Sequence, residues 1–173
     1  SNITFESNTA IDGHAIHVFD SCNSVTINGS TIRNNGISAS AILIDKSSEA
    51  IKQIQFNFNN NTVSYDQYTK SAQAMNIVAR IKCILYQSNF IGCSTSLDKA
   101  GGGIMYNPPD EDKVTETEMT IDGCLFEKCR GTNGQAARLK LYTPIQLSNT
   151  IIRNHTTGPF IFLHIIMRLL VMI

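Results

Sequence analysis

Val25-Thr26-Ile27-Asn28-Gly29-Ser30-Thr31-Ile32-Arg33-Asn34-Asn35 and Met119-Thr120-Ile121-Asp122-Gly123-Cys124-Leu125-Phe126-Glu127-Lys128-Cys129 share one frame without a gap. That frame is apolar-x-apolar-x-x-small-x-apolar-x-x-Asn/Cys. It also fits residues 3–13. With one residue deleted it fits residues 84–93 and 145–154, and with two inserted it fits 54–66. Six copies spaced by roughly 22 to 35 residues point to a solenoid, in which each repeat is one supersecondary unit stacked on the next. A second, mostly apolar segment follows each copy, at residues 15–20, 41–45, 74–78, 103–107, 137–142 and 160–163. Each repeat therefore reads as strand, tight turn, strand, loop, strand. The variable spacing falls in the loops, where solenoids take insertions.

Alternation such as Val25/Ile27 and Met119/Ile121 gives each strand one inward face. A single coil cannot bury that face, but stacked coils pair their strands in parallel about 4.8 Å apart. Equivalent side chains then form columns. The frame predicts an inward column of Ala10, Ile32, Val63, Phe90, Phe126 and Ile151. It predicts a turn column of Gly13, Asn35, Asp66, Cys93, Cys129 and Asn154. Stacked Asn side chains bond along such a column, so Asn at the corners needs no functional explanation. The predicted fold is all-β: a parallel β-helix of about six coils in a single stack over residues 1–163, with an apolar tail at 164–173.

Composition agrees. Charged residues make up 16 % of the chain, formal net charge is zero and Trp is absent. No basic face is evident, so nucleic acid is excluded as a partner. Asn, Ser and Thr with β-branched Ile and Val favour strands and turns. The N-terminal Ser1-Asn2-Ile3-Thr4-Phe5 has no basic or apolar leader pattern, and it starts inside a repeat, so the chain reads as part of a longer β-helix. Cys22, Cys83, Cys93, Cys124 and Cys129 are odd in number and contain no C-x-x-C spacing.

With the repeats aligned, the chain resembles the pectin-lyase-like superfamily of right-handed parallel β-helices. Phe90-Ile91-Gly92-Cys93, Gly101-Gly102-Gly103-Ile104-Met105-Tyr106 and Phe126-Glu127-Lys128-Cys129 are similar to the Phe-x-x-Asn/Cys and Gly-Gly-x-Ile repeats of polymorphic outer-membrane-protein-type surface proteins. The superfamily resemblance covers nearly all of residues 1–163; the narrower motif is clear in one or two repeats. It implies a cell-surface or secreted protein with an adhesive role.

Enzymes of that superfamily act on acidic polysaccharides with clustered carboxylates that hold calcium or do acid/base work. The best candidates here are Asp20 and Asp45, which end the second strand in adjacent coils, with His17 and Lys46 close by and Asn107 at a similar strand end two coils further on. Strand-ending Asp is also a common turn residue, and that reading is preferred. No carboxylate pair with a basic residue matches a lyase or hydrolase signature. Cys93 and Cys129 share a column and are close enough for a disulfide, but a buried thiol ladder is the preferred reading. The acidic loop at 107–118, with Asp110, Glu111 and Asp112, reads as a solvated excursion first and as a partner- or cation-binding loop second. Gly101-Gly102-Gly103 lacks the Lys-Ser/Thr of a phosphate loop. Sequons at Asn2, Asn28, Asn60 and Asn154 lend slight weight to an extracellular setting.

The segment from Phe160 to Ile173 continues apolar where the repeat would turn. Fourteen residues containing His164 and Arg168 fall short of the roughly 20 that span a bilayer. A cap over the open end of the stack, or an abnormal end of the reading frame, is preferred to a membrane anchor, which would be the chain's one route to a membrane. The expectation is a non-enzymatic surface or secreted β-helix that binds carbohydrate or a surface protein in adhesion or scaffolding, without a cofactor unless calcium binds. The rival is a polysaccharide lyase or glycoside hydrolase using Asp20 and Asp45.

Overall fold

The computed structural model describes residues 4–6, 15–19, 23–34, 38–45, 54–66, 71–79, 81–95, 102–107, 118–131, 135–141, 145–155 and 161–165. Among them there is no helix, and the strands form three stacked sheets. Sheet I runs β3 (Ser24–Asn28), β6 (Ile54–Asn59), β9 (Ile81–Tyr86), β13 (Glu118–Asp122) and β16 (Ile145–Ser148). Sheet II runs β1 (Thr4–Glu6), β4 (Thr31–Arg33), β7 (Thr62–Ser64), β10 (Asn89–Ile91), β14 (Leu125–Glu127) and β17 (Ile151–Arg153). Sheet III runs β2 (Ile16–Phe19), β5 (Ser38–Asp45), β8 (Ser71–Val78), β12 (Ile104–Tyr106), β15 (Ala137–Leu141) and β18 (Ile161–Ile165). The chain visits sheets I, II and III in turn and pairs each strand in parallel with its counterpart one coil on, which is the path of a parallel β-helix. One strand departs from it: β11 (Ser94–Thr95) lies antiparallel to the start of β8.

The register simplifies the repeat. Val25, Phe56, Cys83 and Met119 share one rung column of sheet I, and Met119 continues to Ile145. Eleven residues from each of these positions reach Asn35, Asp66, Cys93, Cys129 and His155, so the expected deletions and the insertion do not exist. Residues 3–13 are not a further copy of the whole frame. Thr4–Glu6 pairs with β4 of sheet II, which puts Phe5, not Ala10, in the column of Ile32, Val63, Phe90 and Phe126. At the other end Ile152, not Ile151, continues that column; Ile151 is 55 % exposed. The turn column likewise ends at His155 rather than Asn154. Ala10, Gly13 and Asn35 lie outside the described residues. The physical reason for these slips is that a period of two admits several frames, and only the corners break the tie.

Those corners are columns of left-handed backbone. Gly29, Asn60, Gln87, Gly123 and Asn149 turn the chain from sheet I to sheet II with φ between 46° and 63°. Asn34, Gly92, Lys128 and Asn154 do the same at the end of sheet II. Asn and Gly are the residues that tolerate this conformation best. Gly92 has a second reason to be glycine: a β-carbon there would collide with the Tyr65 carbonyl oxygen of the preceding coil.

The interior is a set of apolar columns. Phe56, Phe58, Phe90 and Phe126 are fully buried and stacked, with the Phe90 and Phe126 rings 4.8 Å apart and 13° from parallel. Sheet III contributes Val18, Ile44, Ile77, Tyr106 and Leu139 from successive strands. Behind the first corner, three successive coils also bury one donor each that reaches a carbonyl of the coil before it. Asn61 Nδ2 donates to Ile27 O (2.9 Å), Ser88 Oγ to Phe58 O (3.1 Å) and Cys124 Sγ to Leu85 O (3.5 Å). Cys129 Sγ does the same at the second corner, donating to Phe90 O at 3.4 Å. Cys124 and Cys129 thus stand in for serine at corner positions; Cys83, Cys93, Cys124 and Cys129 are free and buried, and Cys93 and Cys129 are the buried thiols preferred to a disulfide from the sequence.

Candidate functional site

The residues singled out for chemistry divide between sheet III and segments outside the described residues. Asp20, Lys46 and the acidic loop residues Asp110, Glu111 and Asp112 fall outside. His17 lies on the outer face of sheet III, exposed, its ring tilted against Phe19 at a centroid distance of 5.6 Å. Its rung partner is Leu43, followed by Asn76, Met105 and Arg138. Asp45 is half-buried and sits between Phe19 and Val78. The Asn107 N–H donates to Ile77 O at 2.9 Å and so extends the ladder of Asp45 and Val78 two coils on, as expected. His17 and Asp45 therefore belong to different rungs of one face, and apolar neighbours flank Asp45. Among the described residues no group of three His, Cys, Asp or Glu side chains is placed to hold a metal ion.

A denser array of polar groups covers the outer face of sheet I. Because strand side chains alternate, the residues between the buried ones point outward. Their rungs run Thr26, Asn57, Ile84, Thr120, Gln146 and, beside them, Asn28, Asn59, Tyr86, Asp122, Ser148. Hydrogen bonds tie neighbouring coils along this face. Asn57 Nδ2 donates to Thr26 Oγ1 (3.3 Å), Asn60 Nδ2 to Asn28 Oδ1 (3.4 Å) and Ser148 Oγ to Asp122 Oδ1 (2.8 Å). Lys82 and Glu118 pair at 2.9 Å. Between these linked segments Tyr86 stands 39 % exposed, one of few large apolar side chains to face solvent among the described residues.

Carboxylates along the corners are held ionised. The Ser148 hydroxyl and the Asn149 amide hold the Asp122 carboxyl below its ordinary range. Asn34 and Arg33 lower Asp66, and Arg153 and Asn154 lower Glu127. Burial pushes the Cys83, Cys93 and Cys124 thiols up, which removes them from nucleophilic chemistry at neutral pH. What the sheet I face can do is bind: an aromatic ring supplies a flat apolar contact, and flanking amides, hydroxyls and a fixed carboxylate supply donors and acceptors. This face was missed in the sequence, although its signal, the polar residues alternating with Val25/Ile27 and Met119/Ile121, lay inside the repeat. No helix among the described residues is long and apolar enough to cross a membrane. Comparisons of the chain with protein-family models, curated proteins and solved structures found no match.

Proposed function

We propose that this chain is a right-handed parallel β-helix of about six coils, of the pectin-lyase-like superfamily, and that it is a non-enzymatic cell-surface or secreted protein whose outer face binds carbohydrate or a surface protein in adhesion. The observation that carries the reading is Tyr86, exposed between Asn59 and Asp122 in one rung of a rigid polar array. Exposed aromatics framed by hydrogen-bonding groups are what interfaces use as anchors. A face repeated coil after coil also offers the multivalency on which adhesion depends.

The superfamily motifs have physical roles that support the resemblance. Phe90 and Phe126 point into the core, and Cys93 and Cys129 fill the corner three residues on. Gly103 enters sheet III where a β-carbon would press within 3.2 Å of the Phe126 ring. The test is antibody labelling of intact, unpermeabilised source cells with serum against residues 1–159. Labelling that is lost on protease shaving is expected; signal that appears only after permeabilisation sinks the surface reading. On a glycan array, Tyr86→Ala is then expected to weaken binding by about tenfold or more.

A further inference from the structure

Two sequons, Asn28-Gly29-Ser30 and Asn60-Asn61-Thr62, lie wholly within the described residues. Both place their first Asn, exposed, at the corner between sheets I and II, in adjacent coils. They are offset by one residue. Asn28 pairs with Asn59, so Asn60 stands beside Gly29 and takes the same left-handed turn, φ 55° against 62°. The offset gives the two amides different roles. Asn60 Nδ2 donates to Asn28 Oδ1 at 3.4 Å, along the stack. Asn28 Nδ2 donates to nothing among the described residues, so its carbonyl side is engaged and its nitrogen side is open. Ser30, the third residue of the first sequon, is 4 % exposed, and its hydroxyl donates to Asn28 O at 3.3 Å.

We infer that Asn28 is the acceptor of an N-linked glycan added before this corner folds, and that Asn60 stays unmodified as the donor that holds the Asn28 amide. In the transfer, Asn28 Nδ2 bonds to the anomeric carbon of a lipid diphosphate-linked oligosaccharide. The bond from that carbon to the diphosphate oxygen breaks, and the amide gives up one proton as the lipid diphosphate leaves. Asn28 keeps its carbonyl oxygen, so the bond from Asn60 survives and no hydrogen bond is lost. A sugar on Asn60 Nδ2 would instead be aimed at the coil before. The motif needs its hydroxyl, and that of Ser30 is buried, so the folded corner is no substrate. Asn28 shares a rung with Asn59 and Tyr86, which puts the glycan two strands, or about 10 Å, from Tyr86, at the border of the polar face. The modification takes place in a secretory lumen, so it rests on the surface or secreted reading.

The test is to secrete the full chain from a glycosylating eukaryotic host behind a cleavable signal and to read each site in the secreted protein by glycopeptide mass spectrometry. Sugar on Asn28 and a bare Asn60 are expected. Asn28→Gln is expected to remove that sugar, and Asn60→Gln to leave it in place. Cell-free transfer by microsomes reads the order of events. A peptide of residues 23–33 is expected to accept sugar, whereas the full chain, made and folded in a bacterial host, is expected to accept it at Asn28 only after denaturation. Bare Asn28 in the secreted chain, or sugar on Asn60, overturns the inference. Either result leaves the surface reading standing, because the signal carries the chain into the lumen whatever its native location. Modification of Asn28 in the folded chain at the rate of the peptide overturns the order of events.

Discussion

At the scale of single residues, the corners decide more than the core does. At several left-handed corners a short buried side chain donates to a backbone carbonyl of the coil before it. Asn61, Ser88 and Cys124 occupy one such column with three different chemistries and one geometry. The position therefore selects for a small donor rather than for sulfur. Cys124→Ser is expected to be near neutral in stability, and Cys124→Ala to cost about 1–2 kcal/mol because Leu85 O and Asp122 O lose a donor. Urea unfolding of the two variants checks this; equal losses would mean that the thiol acts by its volume alone. His155 closes the last corner in the same way, its ring nitrogens 2.8 Å from Cys129 O and 3.3 Å from Phe126 O. None of this chemistry is visible in a hydropathy pattern, which explains why Asn154 and not His155 was expected in the turn column.

At the scale of elements, two kinds of column hold the strands in register. The inner one is apolar. Phe126 is 1 % exposed and stacks on Phe90, so Phe126→Ala is expected to destabilise by about 3–5 kcal/mol, whereas Phe19→Ala, at a 58 % exposed site, should change stability by no more than about 0.5 kcal/mol. Thermal unfolding of the pair separates burial from mere aromatic content. The outer column is polar: Arg33 with Asp66 at 2.7 Å, and Arg153 with Glu127 at 3.0 Å. Such exposed pairs contribute little singly, but they are pH-dependent. Asp66, Asp122 and Glu127 all titrate lower when folded than their ordinary values of 3.8, 3.8 and 4.5. Their contribution is thus complete above about pH 5 and is lost as pH falls through the depressed values. The urea midpoint is expected to drop between pH 6 and pH 3, and to drop less in Asp66→Asn.

At the scale of the whole molecule, each coil contacts its neighbours, so stability is a sum of interfaces between adjacent coils. Cys83, Cys93, Cys124 and Cys129 lie inside several of those interfaces and are buried, with thiols that burial makes reluctant to ionise. A thiol reagent at neutral pH is expected to leave these four unmodified in the native protein and to label them as a group on unfolding, which mass spectrometry of intact and denatured chains will read. Fast labelling of Cys83 alone would mean that sheet I opens without the rest. By itself the sequence determined that the chain is a stack of parallel strands, that residues 16–19, 41–45 and 74–78 lie in successive strands of one sheet, and that Ile32, Val63, Phe90 and Phe126 share an inward column. Those features follow from alternation and from apolar positions repeated coil after coil, and both are local. Only the tertiary structure decided the frame of the first and last repeats, the serine-like role of the cysteines and the polar face around Tyr86. Each of these depends on which residue of one coil lies above which residue of the next, a contact set by hydrogen-bond register between segments some 26 to 36 residues apart.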